Sequence, residues 1–126
     1  MQPDEINELT RKAIGLAIDV HRELGPGLFE TTYEECLAFE LKQAGLHFER
    51  QVPLPVVYKS VRLDLGYRLD IVIERRLILE LKTVEHIAAV HEAQMLTYLK
   101  LSKISTGLLM NFNSAVLKDG IRRFRN

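Results

Sequence analysis

The sequence predicts an α/β fold, and three observations carry that reading. Two helical periodicities open the chain, an alternating hairpin occupies its middle, and a short, continuously apolar run follows a third helix. The expected order is helix, helix, three strands, helix, two strands.

Ile6, Leu9, Ala13, Ala17, Val20 and Leu24 recur at three- and four-residue steps, with Asp4 placed to cap the start, and Gly25-Pro26-Gly27 ends this first helix. A second helix carries Tyr33, Leu37, Leu41 and Ala44 on one stripe and stops at Gly45, a left-handed cap. From Phe48 the period becomes two, and Pro53 and Pro55 point to an edge or bent strand. Val61 to Glu74 reads as one extended segment bent at Gly66, reversed at Arg75-Arg76 into Leu77-Ile78-Leu79-Glu80-Leu81-Lys82. The third helix is expected from about Glu85 to Leu101, with Ile87, His91, Gln94, Tyr98 and Leu101 on one face and Val90, Ala93 and Leu96 widening the buried side. Leu108-Leu109-Met110 fits a central strand, and the turn Lys118-Asp119-Gly120 leads into a last strand ending near Phe124.

A length of 126 residues suits one domain, 1–126, and 47% apolar against 27% charged residues is the balance of a chain that folds. The 17 basic and 17 acidic side chains cancel, so a nucleic-acid site has to be a local patch rather than a global excess. Lys118, Arg122, Arg123 and Arg125 form one such group, although a solvated edge strand has the same composition. The lone Cys36 excludes an internal disulfide and a Cys-rich zinc site and suits a reducing compartment. No stretch approaches the ~20 apolar residues of a membrane span, and the start has no basic segment leading into an apolar run, so a cytoplasmic location is expected.

Chemistry is concentrated in the hairpin. Asp70 sits within Tyr67-Arg68-Leu69-Asp70-Ile71-Val72-Ile73, a segment apolar enough that an ionised carboxylate pointing inward needs a partner. Glu80 and Lys82 are two apart on a strand and share a face. A three-residue loop at Glu74-Arg75-Arg76 brings Asp70 opposite Glu80, whereas a two-residue loop pairs it with Leu81. Glu30 shares the spacing of the Tyr33, Leu37 and Leu41 stripe and offers a further acid. Gathered carboxylates need a proton or a cation between them, and hard oxygen donors select Mg²⁺ or Mn²⁺ over structural zinc. Beside such an ion the Lys82 ammonium is placed to stabilise charge on a phosphate, the equipment of phosphodiester hydrolysis. The same residues also fit plainer roles. Glu80 and Lys82 suit a charged pair, Asp70 a partner for Arg68 or Arg62, Glu30 a helix-dipole acid, and Gln94 and Tyr98 hydrogen-bonded residues at the core edge.

With these residues assembled, the chain resembles the prokaryotic family named for its Gly-x-x-Glu-x-x-Tyr motif, here Gly27-Leu28-Phe29-Glu30-Thr31-Thr32-Tyr33. The likeness continues through Arg68-Leu69-Asp70-Ile71-Val72-Ile73-Glu74, Leu79-Glu80-Leu81-Lys82 and Gln94-Met95-Leu96-Thr97-Tyr98-Leu99-Lys100, and that family is placed in the PD-(D/E)XK nuclease superfamily. The resemblance implies a restriction-endonuclease-like αβββαβ core, a mixed sheet flanked by helices, with an extra N-terminal helix and a C-terminal strand. It implies Asp70, Glu80 and the Leu81 carbonyl as metal ligands, Lys82 as the catalytic lysine, Glu30 as a helix-borne acid, and Gln94 and Tyr98 as the Gln-x-x-x-Tyr pair of RecB-like nucleases. Leu69 stands where the motif has proline, a departure that removes no ligand. The implied activity is nuclease action on DNA or RNA; the alternative is a non-catalytic nucleic-acid- or protein-binding module on the same fold. Both leave open a homo-oligomer or a protein partner that completes the site.

Overall fold

The computed structural model describes residues 3–126. Helix α1 spans Pro3–Leu24 and buries Ile6, Leu9, Ala13, Ala17 and Val20, the expected stripe. Asp4 lies within its first turn rather than at the cap, because Pro3, which has no N–H to lose, already opens the helix. There the carboxylate faces the positive end of the helix dipole.

Helix α2 (Glu30–Gln43) buries Tyr33, Leu37 and Leu41 completely, while Ala44 at the end of the expected stripe is exposed. It ends in a Schellman motif: the Leu46 N–H donates to the Leu41 carbonyl, the Gly45 N–H to that of Lys42, and Gly45 takes φ +74°. Between the two helices the Tyr33 hydroxyl donates to the Gly25 carbonyl at 2.6 Å and accepts from the Leu28 N–H at 3.2 Å, with its ring stacked on Phe112. Tyr33→Phe keeps the stack and loses both bonds, so unfolding in urea should show a loss of about 1–2 kcal/mol.

The strands in chain order are β1 (Phe48–Pro53), β2 (Val56–Tyr58), β3 (Val61–Leu63), β4 (Arg68–Ile73), β5 (Leu77–Lys82), β6 (Thr106–Asn111) and β7 (Ile121–Arg125). Five form one mixed sheet in the order β1-β4-β5-β6-β7, antiparallel except for the β5–β6 pair. The crossover between that parallel pair carries helix α3 (Ala89–Ser102), and a short 3₁₀ turn, Leu117–Gly120, precedes β7. With α2, β1, β4, β5, α3 and β6 taken together, this is the expected αβββαβ core with its additional N-terminal helix and C-terminal strand.

Three expectations are corrected. The segment from Val61 to Glu74 is two strands, and β3 pairs with β2 in a separate hairpin that projects between β1 and β4. Helix α3 begins at Ala89, four residues later than expected, where the His91 ring nitrogen accepts from the Ala88 N–H and so closes one backbone donor at the helix start. Val90, Ala93 and Leu96 are exposed, because α3 touches the sheet through the narrower stripe Met95, Tyr98 and Leu99. Gly107 of β6 makes that contact possible, since a Cβ there would lie 2.5 Å from the Met95 sulfur.

The sheet separates two apolar layers. Ile71, Ile73, Leu77, Leu79, Leu81, Leu108 and Met110 pack against α1 and α2; Val72, Ile78 and Leu109 pack against α3. The alternation of strand side chains produces this division. Leu69 breaks it by joining the α3 layer although Ile71, two residues on, belongs to the other, so β4 is irregular at Asp70.

Candidate metal and catalytic centre

Ile73 pairs with Leu77 across the three-residue loop Glu74-Arg75-Arg76, and Ile71 with Leu79. Glu74 and Arg75 take φ +52° and +55° to close this turn. One further step in that register brings Asp70 opposite Glu80, but there the backbone ladder stops and side chains replace it. The Asp70 carboxylate accepts the Leu81 N–H at 2.9 Å, and the Glu80 carboxylate accepts the Asp70 N–H at 3.0 Å. The two acids are thus clasped across adjacent strands, each with one oxygen held by the other strand's backbone.

On the other side of Asp70, Gln51 of β1 occupies the opposing position at φ +51°, a left-handed conformation that costs a non-glycine residue about 1 kcal/mol or more. The twist lets consecutive residues reach the same carboxylate: Arg50 donates to Glu34 at 2.9 and 3.1 Å, and Gln51 donates to its other oxygen at 2.7 Å. Glu34, buried on α2, thereby ties that helix to the edge strand beside Asp70.

Glu80 is 6% exposed. Burial, reinforced by the charge of Asp70, pushes its carboxyl up to about 8, against the pull of the Asp70 N–H and Lys82. Asp70 is also raised, chiefly by burial and further by the charges of Glu34 and Glu30, opposed by the Leu81 N–H and Lys82. Tyr98 is raised by burial first and then by Glu80, which places its phenol in the field of the same acids. A buried and a half-buried carboxylate side by side call for a proton or a cation between them. Among the described residues no three His, Cys, Asp or Glu side chains form a ready-made cage, so an ion held here needs backbone carbonyl, water or phosphate oxygens as well. Such a mixed oxygen sphere suits Mg²⁺ or Mn²⁺.

The remaining sequence candidates fall as follows. Lys82 follows Glu80 on the same face of β5, and its ammonium lies 3.5 Å from the Gln94 side-chain oxygen, with no carboxylate within ion-pair distance. Gln94 and Tyr98, one turn apart on α3, both turn toward this end of β5. Leu81 buries its side chain against α1 and α2, and its backbone N–H is the donor to Asp70. Glu30 corrects the expectation of a buried acid. It is exposed at the first position of α2, and its carboxylate accepts the Thr83 N–H at 3.2 Å, directly after Lys82.

The C-terminal cations do not share a face. The register sets Arg122 opposite Leu109, on the α3 side, and Arg123 opposite Leu108, on the α1 side. Arg122 pairs with Glu92 of α3, Arg123 donates to Asn7 of α1, and Lys118 belongs to the turn before β7, beside a cavity also lined by His21 and Val116. Arg125 lies at the far end of β7, next to Thr106 and Arg76.

Asn111 escaped sequence reading. Buried at the end of β6 and paired with Lys82, it accepts from the Val84 and Asn113 N–H groups and donates to the Val84 carbonyl at 2.8 Å. These bonds fix the chain just after Lys82. Asn111→Ala strands three backbone groups and should cost about 2–4 kcal/mol in denaturant unfolding. A polar residue closing the apolar run Leu108-Leu109-Met110 was the available signal; for Glu34, its four-residue spacing from Glu30 was.

No helix among the described residues is long and apolar enough to cross a membrane. No curated protein and no solved structure matches the chain. The model of a protein family described as the PD-(D/E)XK nuclease superfamily matches residues 7–124, a span that takes in α2, the hairpin with Asp70, Glu80 and Lys82, and the helix bearing Gln94 and Tyr98. On that match, carried over almost its whole length, the chain belongs to the PD-(D/E)XK nuclease superfamily.

Proposed function

We propose that this protein is a Mg²⁺- or Mn²⁺-dependent nuclease that hydrolyses phosphodiester bonds in DNA or RNA, and that it is a member of the Gly-x-x-Glu-x-x-Tyr family within its superfamily. The observation that carries this reading is the clasped pair of half-buried Asp70 and buried Glu80, without a protein cation in contact, with Lys82 next along the same face. Asp70, Glu80 and the Leu81 carbonyl would hold the ion, which when bound supplies a polarised phosphate oxygen and a more acidic water. The Lys82 ammonium, oriented by the Gln94 side-chain oxygen, faces the charge that grows on the phosphate as water adds and the P–O bond breaks. Glu30 holds the backbone after Lys82 through the Thr83 N–H, and Tyr98 walls the site on the α3 side.

The residues 1–126 are read as one domain, since both apolar layers share a single sheet, and the lone half-buried Cys36 suits a reducing cytoplasm. Of the C-terminal cations, Arg122 lies on the same side of the sheet as Gln94 and is the one best placed for a phosphate contact.

A second reading is a binding module that does not cut, with or without a partner or second copy. It is favoured by the structural duty of the two carboxylates, each of which spends an oxygen on a backbone N–H. A cleavage screen separates the two: purified protein with single- and double-stranded DNA and RNA, in Mg²⁺, in Mn²⁺ and in EDTA. The nuclease reading expects metal-dependent products from at least one substrate. Absence of products from all of them, with binding retained, supports the module.

A further inference from the structure

Two exposed aromatic rings sit next to residues of the carboxylate centre, Phe29 beside Glu30 and Tyr67 against Tyr98. Phe29, directly before Glu30, is 83% exposed and stands at the N-cap of α2, where its side chain caps nothing. Ser, Thr, Asp or Asn there would satisfy an orphan N–H, so an exposed Phe is unfavourable both as a cap and as a solvated apolar surface. On the other side, Tyr67 lies three residues before Asp70, is 45% exposed, and meets Tyr98 edge-on with ring centroids 6.3 Å apart. Glu30 and Tyr98 both address the end of β5 that carries Lys82, so Phe29 marks the α2 side of the centre and Tyr67 the α3 side.

The hairpin leading into Tyr67 continues this surface. Tyr58 is 61% exposed and carries the Lys59 ammonium over its ring. Arg62 and Arg68 are exposed nearby, and the segment's one carboxylate, Asp64, is loosely paired with Arg62 at 3.7 Å. Three cations against one acid, in a chain with no net charge overall, make this a local match for a polyanion. Rings of this kind cannot stack on bases inside a duplex, whose faces already cover one another; they need unpaired bases.

We infer that the substrate presented to this centre is an unpaired stretch of nucleic acid, with bases stacked on Phe29 and Tyr67 on either side of Asp70 and Glu80 and phosphates running past Arg68, Arg62 and Lys59. This rests on the nuclease reading above and names the substrate class that such a nuclease takes.

The test is fluorescence anisotropy in EDTA, where nothing is cut, with fluorescein-labelled dT12, U12 and a 12-base-pair DNA duplex, followed by cleavage of the same three in Mn²⁺. At least one single strand should bind tenfold or more tighter than the duplex. Phe29→Ser and Tyr67→Leu should each weaken single-strand binding fivefold or more, the loss expected for one stacked base. Phe29→Trp should keep it. Because serine is the better cap, Phe29→Ser should melt no lower than the parent protein, which separates lost stacking from lost folding. Tyr67→Leu keeps an apolar contact with Tyr98 while removing the ring.

Equal or tighter duplex binding, or wild-type single-strand affinity in both variants, overturns the inference. Cleavage confined to duplex and indifferent to Phe29 leaves the nuclease reading standing and sinks this one. Aromatic-dependent binding of single strands with no cleavage of any substrate does the reverse.

Discussion

Replacing Lys82 with alanine should lower the rate of cleavage about 10²–10³-fold while changing nucleic-acid affinity by less than about threefold. Its ammonium makes no ion pair in the folded protein and is held by the Gln94 side-chain oxygen alone, so little folding energy depends on it. What it offers is a positive charge where negative charge develops during the reaction. Removing an interaction that strengthens only in the transition state appears in kcat and spares ground-state binding. Lys82→Arg should restore little, because a planar guanidinium does not reproduce the compact charge of an ammonium. Cleavage at an undiminished rate in Lys82→Ala would place the activity outside this centre and return the molecule to the role of a binding module.

The second large effect is the exchange of proton for metal at Glu80. Without metal, a carboxyl raised from 4.5 to about 8 keeps its proton in the folded state over a range where the unfolded chain has lost it. The sign follows: the contribution to stability is fully present below pH 4.5 and is lost as pH rises toward 8, at about 1.4 kcal/mol per unit where the difference is one whole proton. Metal acts in the opposite direction. It binds the ionised carboxylates and releases the proton, so Mg²⁺ or Mn²⁺ should stabilise the protein more at pH 8 than at pH 6. At a hundred times Kd the gain is about 2.7 kcal/mol, a rise of several degrees in Tm. Glu80→Gln should flatten the pH slope between 4.5 and 8 and abolish the metal response, and Asp70→Asn should abolish the response as well. Thermal melts at both pH values, with and without 5 mM Mn²⁺, measure all of this. Identical melts for the parent protein with and without the ion would exclude tight binding by the protein alone and leave only an ion held together with substrate phosphate oxygens.

Much of this centre was legible because strand geometry is discrete. A loop of three residues rather than two settles whether Asp70 meets Glu80 or Leu81, and the alternation of β5 puts Lys82 beside Glu80. What failed to show had local causes. The β2–β3 hairpin turns through Lys59 and Ser60, at φ +46° and +70°, where a sequence reader looks for Asn-Gly, so the run from Val61 read as one strand. Glu30 kept its helical spacing from Tyr33 yet is exposed, because periodicity reports which face a residue shares and not where the covering layer ends. Glu34 and Asn111 act through partners far away in the sequence, Arg50 with Gln51 and Val84, which no local pattern encodes. Lys118, Arg122, Arg123 and Arg125 looked like a patch because they are close in sequence, whereas β7 deals its arginines to opposite sides of the sheet.

The clasp between β4 and β5 constrains how such a protein can change over generations. Where backbone pairing stops, the carboxylates of Asp70 and Glu80 serve as the sheet's own fastening, each closing an amide of the other strand. Truncation to alanine would leave those amides bare at about 1–3 kcal/mol each, so an ancestor that shed both acids would give up a large part of its stability. Asn and Gln keep an accepting oxygen at the same reach while giving up the charge. Descent from a cutting protein to a silent one would therefore pass through the amides, and homologues with Asn or Gln at these two positions would be the marks of lineages that have retired the chemistry and kept the scaffold.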